Sequence, residues 1–160
     1  MGLDTYVLKV KDMNNWDTTE NFDKAAHWRK CYGVDTKLSM CRADDVEALD
    51  DYVRVLDIIK VRELYDRACT RADKITNACN RYKAFPYDTI TDIWDLENLD
   101  INFDTEELYQ LWETIEDIAG ETFSDSIWGP IMTIRITIEN LGELLDNIEP
   151  DDTLIWVSSF

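Results

Sequence analysis

Two side chains in the first fifth of the chain could do covalent chemistry together. His27 and Cys31 stand four residues apart, and on a helix they would share one face. There an imidazole can take the proton of a thiol and leave a nucleophilic thiolate. No sequence signature of a third, orienting group accompanies them, and a buried cysteine is commonly inert. The remaining cysteines are Cys41, Cys69 and Cys79; the spacings 31 to 41 and 69 to 79 fit no zinc pattern, and His27 is the only histidine. A second grouping is acidic: Asp92, Asp95, Glu97, Asp100 and Asp104. Carboxylates so gathered can hold a divalent cation or work as an acid and a base. A calcium loop needs ligands at alternating positions around a central glycine. Here the spacing runs three, two, three and four with no glycine, which suits weak, nonspecific cation binding. These residues therefore predict no catalytic group, no metal site and no cofactor.

The distribution of charge is more informative. Residues 1–83 carry 15 Lys/Arg and 15 Asp/Glu, whereas residues 84–160 carry 19 Asp/Glu and one basic residue, Arg135, so the whole net charge of −18 resides in the second half. Acidic tails are usually disordered because they cannot bury enough apolar surface. This half contains Trp94, Trp112, Trp128 and Trp156 with abundant Ile and Leu, so it reads as folded. Such a half repels nucleic acid and attracts what binds nucleic acid. Solubility alone would not require the charge to be segregated. The candidate partner-binding set is Asp92, Asp95, Glu97, Asp100, Asp104, Glu106, Glu107, Glu113, Glu116 and Asp117. A helix over 105–119 would place Glu106, Glu113 and Asp117 near its outer face.

The elements that must position these residues follow from periodicity. Tyr6–Val10 and Leu154–Val157 read as strands. Phe22–Cys31 reads as a short helix carrying His27-Trp28-Arg29-Lys30, either as a small cationic and aromatic recognition patch or, the favoured reading, with Trp28 in the core and Arg29 and Lys30 solvated or paired to carboxylates. Gly33–Cys41 is open, a second strand being one reading. Val46, Leu49, Tyr52, Val53, Leu56 and Ile59, then Leu64, Ala68, Ile75 and Tyr82, keep helical spacing. They predict either one helix over 44–83 or two with a break near 69–73, ended by Phe85-Pro86. Thr89–Ile101 is a short helix or an acidic loop. Asp104-Thr105-Glu106-Glu107 opens a helix whose apolar face is Leu108, Leu111, Trp112, Ile115 and Ile118, with Gly120 at its end. Pro130 fits the first turn of a last helix striped by Ile131, Ile134, Ile138, Leu141, Leu145 and Ile148, although Ile131–Ile138 could begin as a strand. The expected fold is α+β in a single domain over 1–160, with three or four helices on a small sheet that includes both chain ends. The longest uncharged stretch, Ser126–Ile134, falls well short of a membrane span of ~20 residues. The start shows no signal peptide, and Tyr6 stands where N-myristoylation wants Ser or Thr. The expected compartment is the cytoplasm, with reduced thiols.

Met1-Gly-Leu-Asp4 before an aromatic strand, Trp28-Arg29-Lys30, and the closing Trp156-Val-Ser-Ser-Phe160 occur together and in order. In this the chain resembles a group of small uncharacterised bacteriophage proteins. Those open with Met-Gly-Leu-Asp-Met-Tyr, carry Tyr-Trp-Arg-Lys and end in an aromatic strand with Ser-Ser-Trp. The match covers about twelve residues. It departs from the pattern after Lys30, where Cys31-Tyr32-Gly33-Val34 replaces Ala-Asn-x-Ile-His and an aromatic, and in the middle of the chain, where the group's acidic-aromatic segment is not recognisable. The resemblance implies a phage origin and no catalytic residue.

Charge and resemblance together lead to the expectation of a non-enzymatic, phage-encoded acidic inhibitor. It would bind a host protein with a basic groove, such as a CRISPR effector, a restriction enzyme, a nuclease or an RNA polymerase subunit, in the manner of a DNA mimic. It would bind neither nucleic acid nor membrane itself. The alternative is a phage structural or assembly module that pairs with itself as a homodimer or with another phage protein.

Overall fold

The computed structural model describes residues 2–81, 106–119 and 128–159. The fold is α+β. Strand β1 (Asp4–Val10) leads through a 3-10 turn (Met13–Asn15) and helix α1 (Thr19–Asp23) to strand β2 (Ala26–Arg29). Helix α2 (Tyr32–Ser39) and strand β3 (Val53–Val55) precede the long helix α3 (Ile58–Arg81). Helices α4 (Glu106–Ala119) and α5 (Trp128–Asp146) and strand β4 (Thr153–Ser159) complete the described residues. The chain forms two compact units, residues 1–66 with 137–160 and residues 67–136.

The first unit is built on a four-stranded antiparallel sheet in the order β2-β1-β4-β3. Both terminal strands sit at its centre, paired from Asp4 opposite Ser159 to Val10 opposite Thr153. Side chains alternate across a strand, so this register divides the apolar residues between two faces. Leu8, Val10, Val53, Ile155 and Val157 form a buried cluster on one face. Met13, Trp16, Phe22 and Ala25, from the segment after β1, pack on it, and Tyr6 meets Phe22 edge to face with ring centroids 5.2 Å apart.

Polar locks fix the opposite face. The Asp35 carboxylate on α2 accepts from the Thr5 hydroxyl at 2.8 Å and from the Trp156 indole N–H at 3.1 Å. The buried Trp28 indole donates to Thr137 Oγ1 on α5 at 3.2 Å. Asn140, one turn along α5, donates to the His27 carbonyl on the edge strand at 2.8 Å. Replacing Asp35 with Ala would leave two donors, one of them on the fully buried Thr5, without an acceptor. A loss of about 2–4 kcal/mol is expected, read as a lower denaturant midpoint at unchanged slope; a midpoint within error of the parent would refute the role of this lock.

Three elements differ from the sequence expectation. The segment expected as a helix over Phe22–Cys31 is a short helix followed by β2, because Trp28 and Ala26 turn inward at period two while His27 and Arg29 stay exposed. Lys30 then adopts a left-handed φ of 56° and its N–H donates to the Leu3 carbonyl at 2.7 Å, which ends the strand. Residues 32–39 are a helix, with Val34 and Leu38 buried one turn apart. The long helix begins at Ile58 rather than near residue 44, with the Asp57 carboxylate capping the Ile59 N–H at 2.9 Å. From there Leu64, Ala68 and Ile75 of the expected stripe are buried, joined by Val61, Ala72 and Cys79, while Tyr82 lies outside the described residues. With α1 and α2 included, the described residues hold five α-helices rather than three or four.

Candidate functional site

The His27–Cys31 pair does not form. His27 lies on β2, where its ring stacks on Tyr6 at 4.5 Å and Nε2 lies 2.8 Å from Asp4 Oδ1. Cys31 precedes α2 and its thiol donates to the Arg29 carbonyl at 3.4 Å. No disulfide links the four cysteines. Burial pushes the Cys79 thiol up to about 12, which suppresses its thiolate at neutral pH.

The acidic candidates divide by place. Asp92, Asp95, Glu97, Asp100 and Asp104 lie outside the described residues, and of Glu107 only its position on α4 is described. Glu106, Glu113, Glu116 and Asp117 are on α4, as expected. Leu111 and Ile115 are fully buried, and their burial fixes the rotation of the helix about its axis. At 100° per residue, Glu106, Gln110, Glu113 and Asp117 fall in one narrow strip opposite that buried face, and all four are exposed. Glu116 lies to the side of the strip and is half-buried. Helix rise separates Glu106 from Glu113 by ~10 Å and Glu113 from Asp117 by ~6 Å.

These magnitudes limit what α4 alone can imitate. Three carboxylates over ~16 Å is one charge per ~5–8 Å, several-fold sparser than the ~1.7 Å of duplex DNA. The strip is an exposed anionic edge rather than a copy of a duplex. In the same unit, Lys74, Asn77, Ala78 and Arg81 of α3 face Thr114 and Ile118 of α4 across a groove of about 270 Å³. The unit therefore carries a basic margin beside its acidic one.

A second acidic group is legible only in three dimensions. Glu149, Asp151 and Asp152 bring carboxylate oxygens within 4.8 Å of one another in the turn before β4. Lys11, at the end of β1, sits among them: its ammonium donates to Glu149, lies 3.0 Å from Asp151 Oδ1 and 3.3 Å from the buried Asp152 Oδ1. The place a cation would take is filled by a side chain of the protein itself. Hydrogen bonding to Glu149 and Asp151 raises the Lys11 pKa, and the bond from Lys11 lowers that of Asp151. The Asp151 contribution to stability is present above its unfolded pKa near 3.8 and is lost as pH falls through the lower folded value. The Lys11 contribution is present below its unfolded pKa near 10.5 and is lost as pH rises through the raised value. Lys11→Met should therefore lower the melting temperature between about pH 4 and pH 10 and flatten the acid limb of the stability curve. Coincident parent and variant curves down to pH 2 would show that the clamp contributes nothing.

A third feature was hidden in the sequence. Val46, Leu49, Tyr52 and Ile59, expected to line the buried face of a helix, are exposed large apolar residues, and Met40 joins them. Their even spacing gave no sign of this, since i, i+3 repeats describe a buried helical face equally well.

A cleft of about 640 Å³ lies beside β2 and α5, lined by Lys9, Asp23, Lys24, Asn140, Glu143 and Glu149 among others. Its cations are engaged nearby, Lys9 with the Asn147 carbonyl and Lys24 with Glu20. No helix among the described residues is long and apolar enough to cross a membrane. No family model, curated protein or solved structure matches the chain.

Proposed function

We propose that the chain acts by protein binding: it is an acidic inhibitor of phage origin that docks on the cationic groove of a host nucleic-acid-handling protein and competes there with nucleic acid. The observation that carries this reading is the outer strip of α4. Its exposed Glu106, Glu113 and Asp117 lie opposite the buried Leu111 and Ile115, and the helix contains no basic residue. A helix with charges of one sign steers a cationic partner and speeds encounter more than it deepens affinity. The sequence adds Asp92, Asp95, Glu97, Asp100 and Asp104 to the same acidic half. The test is a pull-down from host lysate with and without competing duplex DNA. A nucleic-acid enzyme that copurifies and is released by DNA supports the proposal. A partner retained at any DNA concentration refutes competition. A second reading, a phage assembly module, is favoured by the exposed apolar residues near β3, and self-association alone in that experiment would select it.

A further inference from the structure

We propose that the loop Ala43–Tyr52 is a preformed docking element for a cationic protein surface with an apolar recess. Five of the six exposed large apolar residues among the described ones fall within residues 40–59: Met40, Val46, Leu49, Tyr52 and Ile59. Singly exposed apolar residues need no explanation, but five drawn from one stretch of twenty residues supply the kind of side chains from which interaction sites are made. Val46, Leu49 and Tyr52 are 49%, 42% and 52% exposed. Asp44 and Asp45 precede them, Glu47, Asp50 and Asp51 stand between them, and residues 43–52 contain no basic side chain.

The loop is held at both ends. Ala43 N–H donates to the Val55 carbonyl at 2.9 Å, and Asp57 N–H donates to the Cys41 carbonyl at 2.8 Å. Lys60 reaches back to Asp44 Oδ1 and to the Arg42 carbonyl, each at 2.9 Å. At the far end Leu49 N–H donates to the Val53 carbonyl at 3.1 Å, Arg54 closes on the Asp50 carbonyl, and the Tyr52 carbonyl accepts from Ser158 of β4 at 3.0 Å. A loop so pinned has already lost most of the freedom that binding would otherwise cost.

Charge identifies the occupant. A second copy joined about a two-fold axis would set this loop against itself, five carboxylates facing five. A cationic partner reverses that sign, and Asp45, Glu47 and Asp51 remain exposed to meet it while Lys60 takes Asp44. Asp44 is held below the usual carboxylate range by its hydrogen bond from Lys60. The inference does not rest on competition with nucleic acid, since the loop belongs to the first unit and α4 to the second.

The experiment uses the full chain and two synthetic helical peptides of equal positive charge, one of Lys and Leu, the other of Lys and Ala. Amide shifts in nuclear magnetic resonance locate the site and calorimetry gives affinity. The Lys/Leu peptide should shift residues 43–52 most and bind at least ~10-fold tighter than the Lys/Ala peptide. The variant V46S/L49S/Y52S should remove that preference while amide shifts outside residues 43–52 stay at their parent positions, which shows that the fold is retained. D45K/E47K/D51K should weaken both peptides. Reversal of Glu106, Glu113 and Asp117 should leave the loop shifts unchanged. Equal affinity for the two peptides, shifts centred on α4, or a self-association abolished by V46S/L49S/Y52S would each overturn the proposal. None of these bears on release of a partner by duplex DNA, so the two proposals can fail separately.

Discussion

Removal of residues 153–160 will abolish cooperative unfolding of the first unit. Strand β4 is interior: it pairs with β1 on one side and β3 on the other. Its loss removes Leu154, Ile155, Trp156 and Val157, all buried. Burial of Leu154, Ile155 and Val157 is worth about 1.5–3 kcal/mol each, and Trp156 and two hydrogen-bond ladders go with them. That total matches the whole stability of an ordinary domain, about 5–15 kcal/mol. The truncated chain should show no thermal transition from the sheet and should lose amide protection in β1. Retention of the parent melting temperature would mean that β4 does not belong to the core.

Reversal of Glu106, Glu113 and Asp117 to Lys will weaken association with the proposed cationic partner by roughly 100-fold at low salt, given about 1 kcal/mol for each partly exposed charge pair. The parent on-rate should fall steeply as salt rises, because steering acts over distances that the ~8 Å Debye length at physiological salt cuts off. The variant should lose most of that dependence. Helicity and melting temperature should be unchanged, since the three side chains lie opposite Leu111 and Ile115. Reversing the exposed Asp17, Asp23 and Asp73 supplies the control. If both sets weaken binding equally, or if parent binding is indifferent to salt from ~50 to ~500 mM, α4 is a solvated face and the loop Ala43–Tyr52 becomes the principal contact.

What the sequence made legible was what its periodicity stated without rival. The two terminal strands and α4 each carry one clear repeat, and all three are present; in α5 the β-branched run Ile131–Ile138, which also suits a strand, is helical. The errors cluster where two periods coexist. Val46, Leu49, Val53 and Leu56 fit a helical stripe, yet Val53 and Leu56 are buried through β3 and its flanking bridge, while Val46 and Leu49 are not. Pairing with β4 overrides the local pattern, and nothing in residues 44–57 announces it. Four residues from Ala26 to Arg29 are too few to separate period two from period 3.6. Gly33, Val34 and Thr36 are poor helix formers, yet α2 forms, with Val34 and Leu38 buried and Asp35 bonded to the sheet. As for the acidic surface, composition located the charge and α4 set part of it in a line. The lysine among Glu149, Asp151 and Asp152 was out of reach, since Lys11 lies at the other end of the chain.

The pairing of β1 with β4 also governs when the protein can fold. Its central ladder joins strands separated by nearly the whole length of the sequence. Such non-local closure must meet its entropy cost before any contact rewards it, and topologies of this kind fold slowly. During synthesis β1 emerges long before β4, and its β4-facing edge must wait unpaired until residues 153–159 have followed. The N-terminal half therefore gains nothing from folding domain by domain as it emerges. β2 and the segment on residues 11–25 are the partners available to shield β1 in the interval.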